Sequence, residues 1–130
     1  MIISDVMTPC PYKISFEKSM EEAIKFFELR NIRHLPVVKE DEVVGLLSLR
    51  DVELGKFLCE STGLCPSAGD LCVSDPYVVA NNTPIGEVTQ AMADKKTDCA
   101  LVVDPEGNFV GIFTTTDACR LVKMLLDQKQ

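Results

Sequence analysis

The sequence lacks the features that mark membrane-spanning, secreted and nucleic-acid-binding proteins. No apolar run approaches the roughly 18–20 residues that a helix needs to cross a bilayer. The opening segment Met1–Asp5 has no positive stretch followed by an apolar one, so we expect no secretory signal. Thirteen basic against twenty acidic residues give a net charge of −7, which disfavours nucleic-acid backbones and anionic lipid surfaces as partners. We therefore expect a soluble, cytoplasmic protein without nucleic-acid or membrane partners.

The cysteines and the single histidine, His34, follow no recognisable metal or disulfide pattern. The six cysteines are Cys10, Cys59, Cys65, Cys72, Cys99 and Cys119, and no two of them form a Cys-x-x-Cys pair. Zinc sites usually have paired ligands at short spacing, and a disulfide framework is not expected without a secretory signal. We interpret the cysteines as small buried apolar residues and expect no bound metal. We also expect dithiothreitol to change neither the stability nor the oligomeric state of the protein much. A redox or metal-sensing function for Cys59, Cys65 and Cys72 is the alternative.

The chain contains an internal repeat with a period of about 65 residues. Asp5-Val-Met reappears as Asp70-Leu-Cys, and Pro11-Tyr12 reappears as Pro76-Tyr77. With 46% hydrophobic residues the 130-residue chain can bury a core, but half of it alone is small for a stable domain. We therefore expect two copies that pack together with pseudo-two-fold symmetry. The predicted boundaries are 1–60 for the first copy, 61–69 for a linker and 70–130 for the second copy.

Both copies predict the same order of elements, β-α-β-β-α. In the first copy Ser19 and Glu22 predict a capping box at the start of a helix, followed by apolar residues at helical spacing. In the second copy Thr83-Pro84 marks the same start, with proline at the first helical position. The apolar positions are Met20, Ala23, Ile24 and Phe27 in the first helix and Ile85, Val88 and Met92 in the second.

Two short strands and a closing helix follow in each copy. The strand pairs are His34–Val38 with Val43–Leu47 and Cys99–Val103 with Phe109–Phe113. Strands that alternate with helices predict an α/β (α+β) fold. The closing helices carry more apolar residues than one hairpin can cover, which predicts an interface and hence a homodimer. These residues are Val52, Leu54, Phe57 and Leu58 in the first copy and Leu121, Val122, Leu125 and Leu126 in the second.

The motif Gly-h-h-[Ser/Thr]-x-x-Asp, with h apolar, ends a strand and begins a helix in both copies. It spans Gly45–Asp51 and Gly111–Asp117. One interpretation is an N-cap, because Ser or Thr followed three residues later by an acidic residue is typical of a helix start. The other is a ligand site: a helix N-terminus attracts phosphate, an aspartate one turn later can accept bonds from a ribose diol, and the glycine allows close approach. The two interpretations are compatible.

The duplicated motif, the segment Ile32–Val38 before its first copy and the opening Val6-Met7-Thr8-Pro9 together resemble the cystathionine-β-synthase (CBS) domain pair, or Bateman module. The resemblance covers about residues 1–125. It implies an adenosine-containing ligand (AMP, ADP, ATP, S-adenosylmethionine or NAD) in the cleft between two motifs. It also implies ribose-binding aspartates, hydroxyls that face phosphate or ribose, and residues that line the adenine pocket. The ribose-binding aspartates would be Asp51 and Asp117, and the hydroxyls that face phosphate or ribose would be those of Ser48 and Thr114. The residues that line the adenine pocket would be Ile32, Thr97, Tyr12 and Tyr77.

The two copies differ where phosphate would lie. The first offers Arg33 and His34 beside the motif and Arg50 within it, whereas the second has Asp98 where Arg33 stands and Thr116 where Arg50 stands. We therefore expect the first copy to bind phosphate-bearing ligands more tightly.

The resemblance implies a non-catalytic regulatory module that passes a ligand signal to a partner protein. Although Ser48, His34 and Asp51 contain the letters of a catalytic triad, nothing in the sequence indicates its geometry, and we expect no enzyme activity. A ligand-free module for protein interaction or dimerisation is the main alternative.

Overall fold

The computed structural model describes residues 1–9 and 12–129 and divides into two compact units. The first-repeat unit is Tyr12–Pro76, and the second-repeat unit combines Met1–Pro11 with Tyr77–Gln130. Cys10, Pro11 and Gln130 lie outside the described residues. The predicted correspondence of Pro11 with Pro76 and the predicted burial of Cys10 therefore fall outside them as well.

Each unit combines one four-stranded sheet with helices, which confirms the predicted mixed α and β class. A single 3-10 turn, Ile3–Asp5, precedes the first strand. The strands are β1 (Thr8–Pro9), β2 (Ile14–Ser15), β3 (His34–Lys39), β4 (Glu42–Ser48), β5 (Val73–Ser74), β6 (Val78–Ala80), β7 (Cys99–Val103) and β8 (Phe109–Thr114). The helices are α1 (Met20–Arg30), α2 (Leu49–Thr62), α3 (Ala68–Leu71), α4 (Ile85–Lys95) and α5 (Thr115–Asp127).

The two sheets have the same topology. In the first-repeat unit the order is β2-β3-β4-β5, with β2 parallel to β3 and the other pairs antiparallel. In the second-repeat unit the order is β1-β8-β7-β6, with β6 parallel to β7 and the other pairs antiparallel. The predicted hairpins β3–β4 and β7–β8 are confirmed. Their pairing shifts register at equivalent positions, between Val37 and Val38 and between Val102 and Val103.

One edge strand of each sheet comes from the segment that opens the other copy. β1, at the start of the chain, pairs with β8, and β5, after the first copy, pairs with β4. The compact units therefore cut the chain at other points than the sequence repeat does. The boundaries 1–60, 61–69 and 70–130 describe the repeat along the chain and stay a prediction. Within the predicted linker, α2 continues to Thr62 and α3 begins at Ala68.

Helix α1 begins as the capping pattern predicts. The Glu22 backbone N–H donates to Ser19 Oγ at 3.1 Å, and Met20, Ala23 and Phe27 are buried. The predicted start of α4 is wrong by one residue: Pro84 is the N-cap and Ile85 is the first helical residue. The reason is that Pro84 is extended, with ψ 138°, so it lies just outside the helix.

Each unit has its own apolar core between sheet and helices. The buried members of the first core are Ile14, Met20, Ala23, Phe27, Leu35, Val37, Leu47, Val52 and Ala68. Those of the second are Ile3, Val79, Val88, Met92, Ala100, Val102 and Phe113. Among the described residues, no helix combines the length and apolarity needed to cross a membrane.

The cysteine interpretation is largely wrong. Cys59 and Cys65 form a disulfide, with their Cα atoms 4.4 Å apart, although we expected none. Gly63 ends α2 in the left-handed region (φ 77°), and this turn brings Cys65 back towards the last turn of the helix. Of the described cysteines outside the disulfide, Cys99 is buried as predicted, Cys72 is half-buried and Cys119 is exposed.

We predict that reduction destabilises the protein, which replaces the expected indifference to dithiothreitol. Opening a loop with a sequence separation of 6 should lower the free energy of unfolding by about 2 kcal/mol, because the unfolded chain gains freedom. The melting temperature of the wild type should fall with dithiothreitol, while that of the Cys59→Ser/Cys65→Ser variant should not change. Equal melting curves for the wild type with and without reductant would contradict the prediction.

Candidate functional site

Both repeated motifs lie at a strand-to-helix junction, and the N-cap interpretation is confirmed. Ser48 caps α2 by accepting a hydrogen bond from the Asp51 N–H at 3.1 Å. Thr114 caps α5 by accepting one from the Asp117 N–H at 3.4 Å. Capping uses one backbone N–H at each helix start, and the N–H of the first helical residue, Leu49 or Thr115, donates to a backbone carbonyl. An anion at either helix start would therefore be attracted mainly by the positive end of the helix dipole.

The hairpin register brings the residues before β3 and β7 to these caps. His34 lies opposite Ser48, and the Leu49 N–H donates to the Arg33 carbonyl at 2.9 Å. In the second-repeat unit Cys99 lies opposite Thr114, and the Thr115 N–H donates to the Asp98 carbonyl at 3.1 Å.

The same backbone position therefore carries opposite charges in the two units. Arg33 is exposed at the start of α2, and Asp98 is exposed at the start of α5. A guanidinium attracts an anion to the first helix start, and a carboxylate repels an anion from the second.

The predicted adenine-lining residues are partly exposed. Ile32 and Thr97 are half-buried just before their strands, and Thr97 Oγ1 donates to the Cys99 carbonyl at 3.3 Å. The Tyr12 ring meets the Phe26 ring edge to face at 5.6 Å between centroids, with the Arg30 guanidinium 5.2 Å from the Tyr12 centroid.

The Tyr77 ring lies against α4, with Lys95 Nζ 5.6 Å from its centroid. Burial raises the pKa of the Tyr77 phenol, and the charge of Glu87 raises it further. Tyr77 therefore stays protonated at neutral pH and presents an uncharged ring.

The two motif aspartates have different surroundings. Asp117 is 6% exposed, and both of its carboxylate oxygens accept hydrogen bonds. Asp51 is half-buried, and within residues 1–9 and 12–129 its carboxylate has neither a hydrogen bond nor an ion pair. The carboxylate of Asp51 is thus available to a ligand, whereas that of Asp117 is engaged inside the protein.

Two of the residues around Asp117 had not been predicted from the sequence. Thr8 Oγ1 donates to Asp117 Oδ1 at 2.7 Å, and Arg120 Nη1 lies 3.4 Å from the same oxygen. The opening Val6-Met7-Thr8-Pro9 had been singled out, but nothing in the sequence connects Thr8 with a residue 109 positions away.

The motif glycines pack against the protein itself, which corrects the expectation that they make room for a ligand. A Cβ on Gly45 would lie 2.5 Å from Cys72 Sγ and 2.9 Å from the Val73 carbonyl oxygen. A Cβ on Gly111 would lie 2.5 Å from Met7 Sδ. The atoms that come close to the two glycines belong to residues at or just before the start of β5 and β1.

A cavity and a half-buried thiol lie outside the set of predicted site residues. A cavity of about 600 Å³ lies in the first-repeat unit, lined among others by Phe16, Val44 and Cys72. Burial raises the pKa of the Cys72 thiol, and the charges of Asp51 and Asp70 raise it further, which favours the protonated thiol at neutral pH. Among the described residues, no three His, Cys, Asp or Glu side chains form a metal-binding group.

Comparisons with known proteins agree with this architecture. The CBS domain family model matches residues 3–53 and 68–123. Inosine-5'-monophosphate dehydrogenase from Thermoplasma acidophilum is 33% identical over 117 residues, which are 90% of this chain and 22% of that enzyme. The chain thus spans about a fifth of the length of this relative. It belongs to the CBS domain family, and the two matched stretches are its two CBS motifs.

Solved structures show the same fold. CBSX2 from Arabidopsis thaliana, in complex with AMP, has a TM-score of 0.75 at 25% identity, covering 99% of this chain and 98% of that chain. The CBS domain pair of the protein MJ0100, in complex with 5'-methylthioadenosine and S-adenosyl-L-methionine, has a TM-score of 0.81 at 23% identity, covering 95% and 96%. The resemblance inferred from the sequence is confirmed.

We predict that alanine is tolerated at Gly111 better than at Gly45. Gly45→Ala should cost about 1–3 kcal/mol, because its Cβ meets a backbone oxygen that cannot rotate away. Gly111→Ala should cost less, because the three nearest atoms all belong to the flexible Met7 side chain. Urea unfolding measures both. Gly86→Ala is the control, since nothing lies within 4 Å of its added Cβ; a larger loss for Gly111→Ala than for Gly45→Ala would contradict the prediction.

Proposed function

We propose that this protein is a non-catalytic regulatory module whose first CBS motif binds an adenosine-containing ligand. The observation that carries the proposal is the free carboxylate of Asp51, one turn into a helix whose N-terminus lies beside Arg33. The candidate ligands are AMP, ADP, ATP, S-adenosylmethionine and NAD. The AMP complex of the similar CBSX2 supports this class of ligand.

The proposed roles follow from charge and position. Asp51 accepts hydrogen bonds from the two ribose hydroxyls, because a carboxylate has two oxygens with acceptor capacity to spare. Ser48 and the N-terminus of α2 face the phosphate, and Arg33 and His34 complete that end with donors.

The adenine lies in this proposal against Ile32 and the Tyr12 segment, both half-buried and therefore partly accessible. The corresponding residues of the second motif, which were predicted to serve the same roles, are Thr114, Asp117, Thr97 and Tyr77. We propose that they form the weaker site, because Asp98 repels phosphate and the Asp117 carboxylate is already engaged.

The output is proposed to be a population shift. A ligand that binds one arrangement of the protein better than another favours that arrangement, and an effector protein responds to it. Since the chain spans only 22% of the dehydrogenase it resembles, we do not transfer catalysis to it. A cytoplasmic location without nucleic-acid or membrane partners remains part of the proposal. In a reducing compartment Cys59 and Cys65 would be thiols.

A second proposal, an interaction module, rests on the exposed apolar side chains of the closing helices. Leu54, Phe57 and Leu58 on α2 are 58%, 68% and 49% exposed, and Val122 and Leu126 on α5 are 55% and 59% exposed. Exposed apolar side chains on both helices favour a protein partner, and the partner proposed here is a second copy of the chain.

We predict that the two motif aspartates contribute unequally to AMP binding. Asp51→Asn should weaken AMP binding at least tenfold, because a carboxylate that accepts hydrogen bonds from hydroxyls is replaced by an uncharged amide. Asp117→Asn should change affinity less than threefold. Isothermal titration calorimetry measures both, after circular dichroism has established that each variant is folded. Loss of binding with Asp117→Asn alone would place the ligand at the second motif.

We predict a homodimer that depends on the closing helices. Light scattering after size exclusion should give about twice the chain mass of 14.3 kDa. Phe57→Lys should give monomers, because it places a charge in the proposed interface. Leu29→Lys is the matched control, since Leu29 is 76% exposed on α1, outside the closing helices. A wild-type mass of one chain at micromolar concentration would refute the dimer.

A further inference from the structure

The carboxylate of Asp117 is held from four directions, all within the second-repeat unit. Oδ2 accepts from the Thr114 N–H at 2.9 Å and from Thr114 Oγ1 at 3.2 Å. Oδ1 accepts from Thr8 Oγ1 at 2.7 Å and from Arg120 Nη1 at 3.4 Å. With a side chain only 6% exposed, Asp117 has neither a free lone-pair direction nor an open path for a ribose diol.

The first-repeat unit has neither of the two longer-range partners. The residue that corresponds to Thr8 is Val73, because Thr8 pairs with Ile112 and Val73 pairs with the equivalent Leu46. Valine has the shape of threonine without the hydroxyl. The residue that corresponds to Arg120, three positions after the motif aspartate, is Leu54.

The segment that carries Val73 lies close to Asp51, as the Thr8 segment lies close to Asp117. Cys72 Sγ would meet a Cβ on Gly45, just as Met7 Sδ would meet one on Gly111. The charge of Asp51 also acts on the Cys72 thiol. The difference between the aspartates is therefore the identity of two side chains rather than the path of the backbone.

We propose that Thr8 and Arg120 close the second motif to ribose by occupying Asp117, and that Val73 and Leu54 leave Asp51, of the two motif aspartates, as the diol acceptor. This assignment rests on the proposed function and adds a specificity-determining residue, Thr8, that is far from both motifs in sequence. A hydrogen bond to a charged group is worth about tenfold to a hundredfold in an equilibrium constant, so a diol must displace a strong internal competitor at Asp117.

The test is a reciprocal exchange between the two positions. Thr8→Val gives the second unit the residue of the first, and Val73→Thr does the reverse; both changes are nearly isosteric. Calorimetry with adenosine avoids the phosphate repulsion from Asp98, and 2'-deoxyadenosine shows whether the diol carries the affinity. We expect one adenosine site per chain in the wild type and two in Thr8→Val/Arg120→Leu. We expect Val73→Thr to bind adenosine about tenfold more weakly.

The matched control is Thr62→Val, which makes the same chemical change at an exposed position at the end of α2, outside both motifs, and should alter neither stoichiometry nor affinity. A single site in Thr8→Val/Arg120→Leu, or unchanged affinity in Val73→Thr, would overturn the proposal. Equal affinity for adenosine and 2'-deoxyadenosine would overturn it as well, because diol recognition would then not decide which motif binds.

A second measurement needs no ligand and separates the contact from the proposed function. In urea unfolding, Thr8→Val should lower the midpoint in the wild-type background and have a smaller effect in the Asp117→Asn background, because the two side chains share one hydrogen bond. Equal shifts in both backgrounds would overturn the engagement of Asp117 by Thr8. If the effects of Thr8→Val and Asp117→Asn on the urea midpoint are coupled but no variant binds adenosine or AMP, the contact stands. The proposed function and the site assignment that rests on it are then overturned.

Discussion

The antiparallel pairing of each central hairpin is the constraint on which both candidate sites depend. Because His34 lies opposite Ser48 and Cys99 lies opposite Thr114, the residue before one strand always meets the helix start after the next. A shift of one residue would turn each of these side chains to the other face of the sheet. The glycines of both motifs let the neighbouring segments pack closely against each hairpin, because those segments lie where a side chain would be.

On this common framework the two units differ through single side chains. Arg33 and Asp98 occupy the same backbone position with opposite charge, and Thr8 and Val73 occupy another with and without a hydroxyl. In the proposed function both differences act in the same direction, since each would favour an anionic, diol-bearing ligand at the first motif and disfavour it at the second. Duplication supplies two equivalent scaffolds, and local chemistry gives them different capacities.

The cysteines show where inference from composition fails. The spacing rules for metal sites and for the disulfide frameworks of secreted proteins do not predict the bond between Cys59 and Cys65. The two cysteines approach each other because of the left-handed turn at Gly63 that ends α2. The glycine is visible in the sequence, but the direction in which the chain continues after it depends on packing. The same is true of Pro84, whose backbone angle places it one residue outside the helix it was expected to begin.

The sequence by itself determined the repeat, the order of helices and strands, the capped helix starts and the charge difference between Arg33 and Asp98, because these depend on local periodicity, capping chemistry and residue identity. Only the tertiary structure decided that the opening segment completes the sheet of the second repeat and that Thr8 binds Asp117, 109 residues away. The physical reason is that a hydrogen bond between distant segments depends on strand pairing across the whole unit. The sequence shows that both partners of such a bond are present, but it does not show that they are in contact.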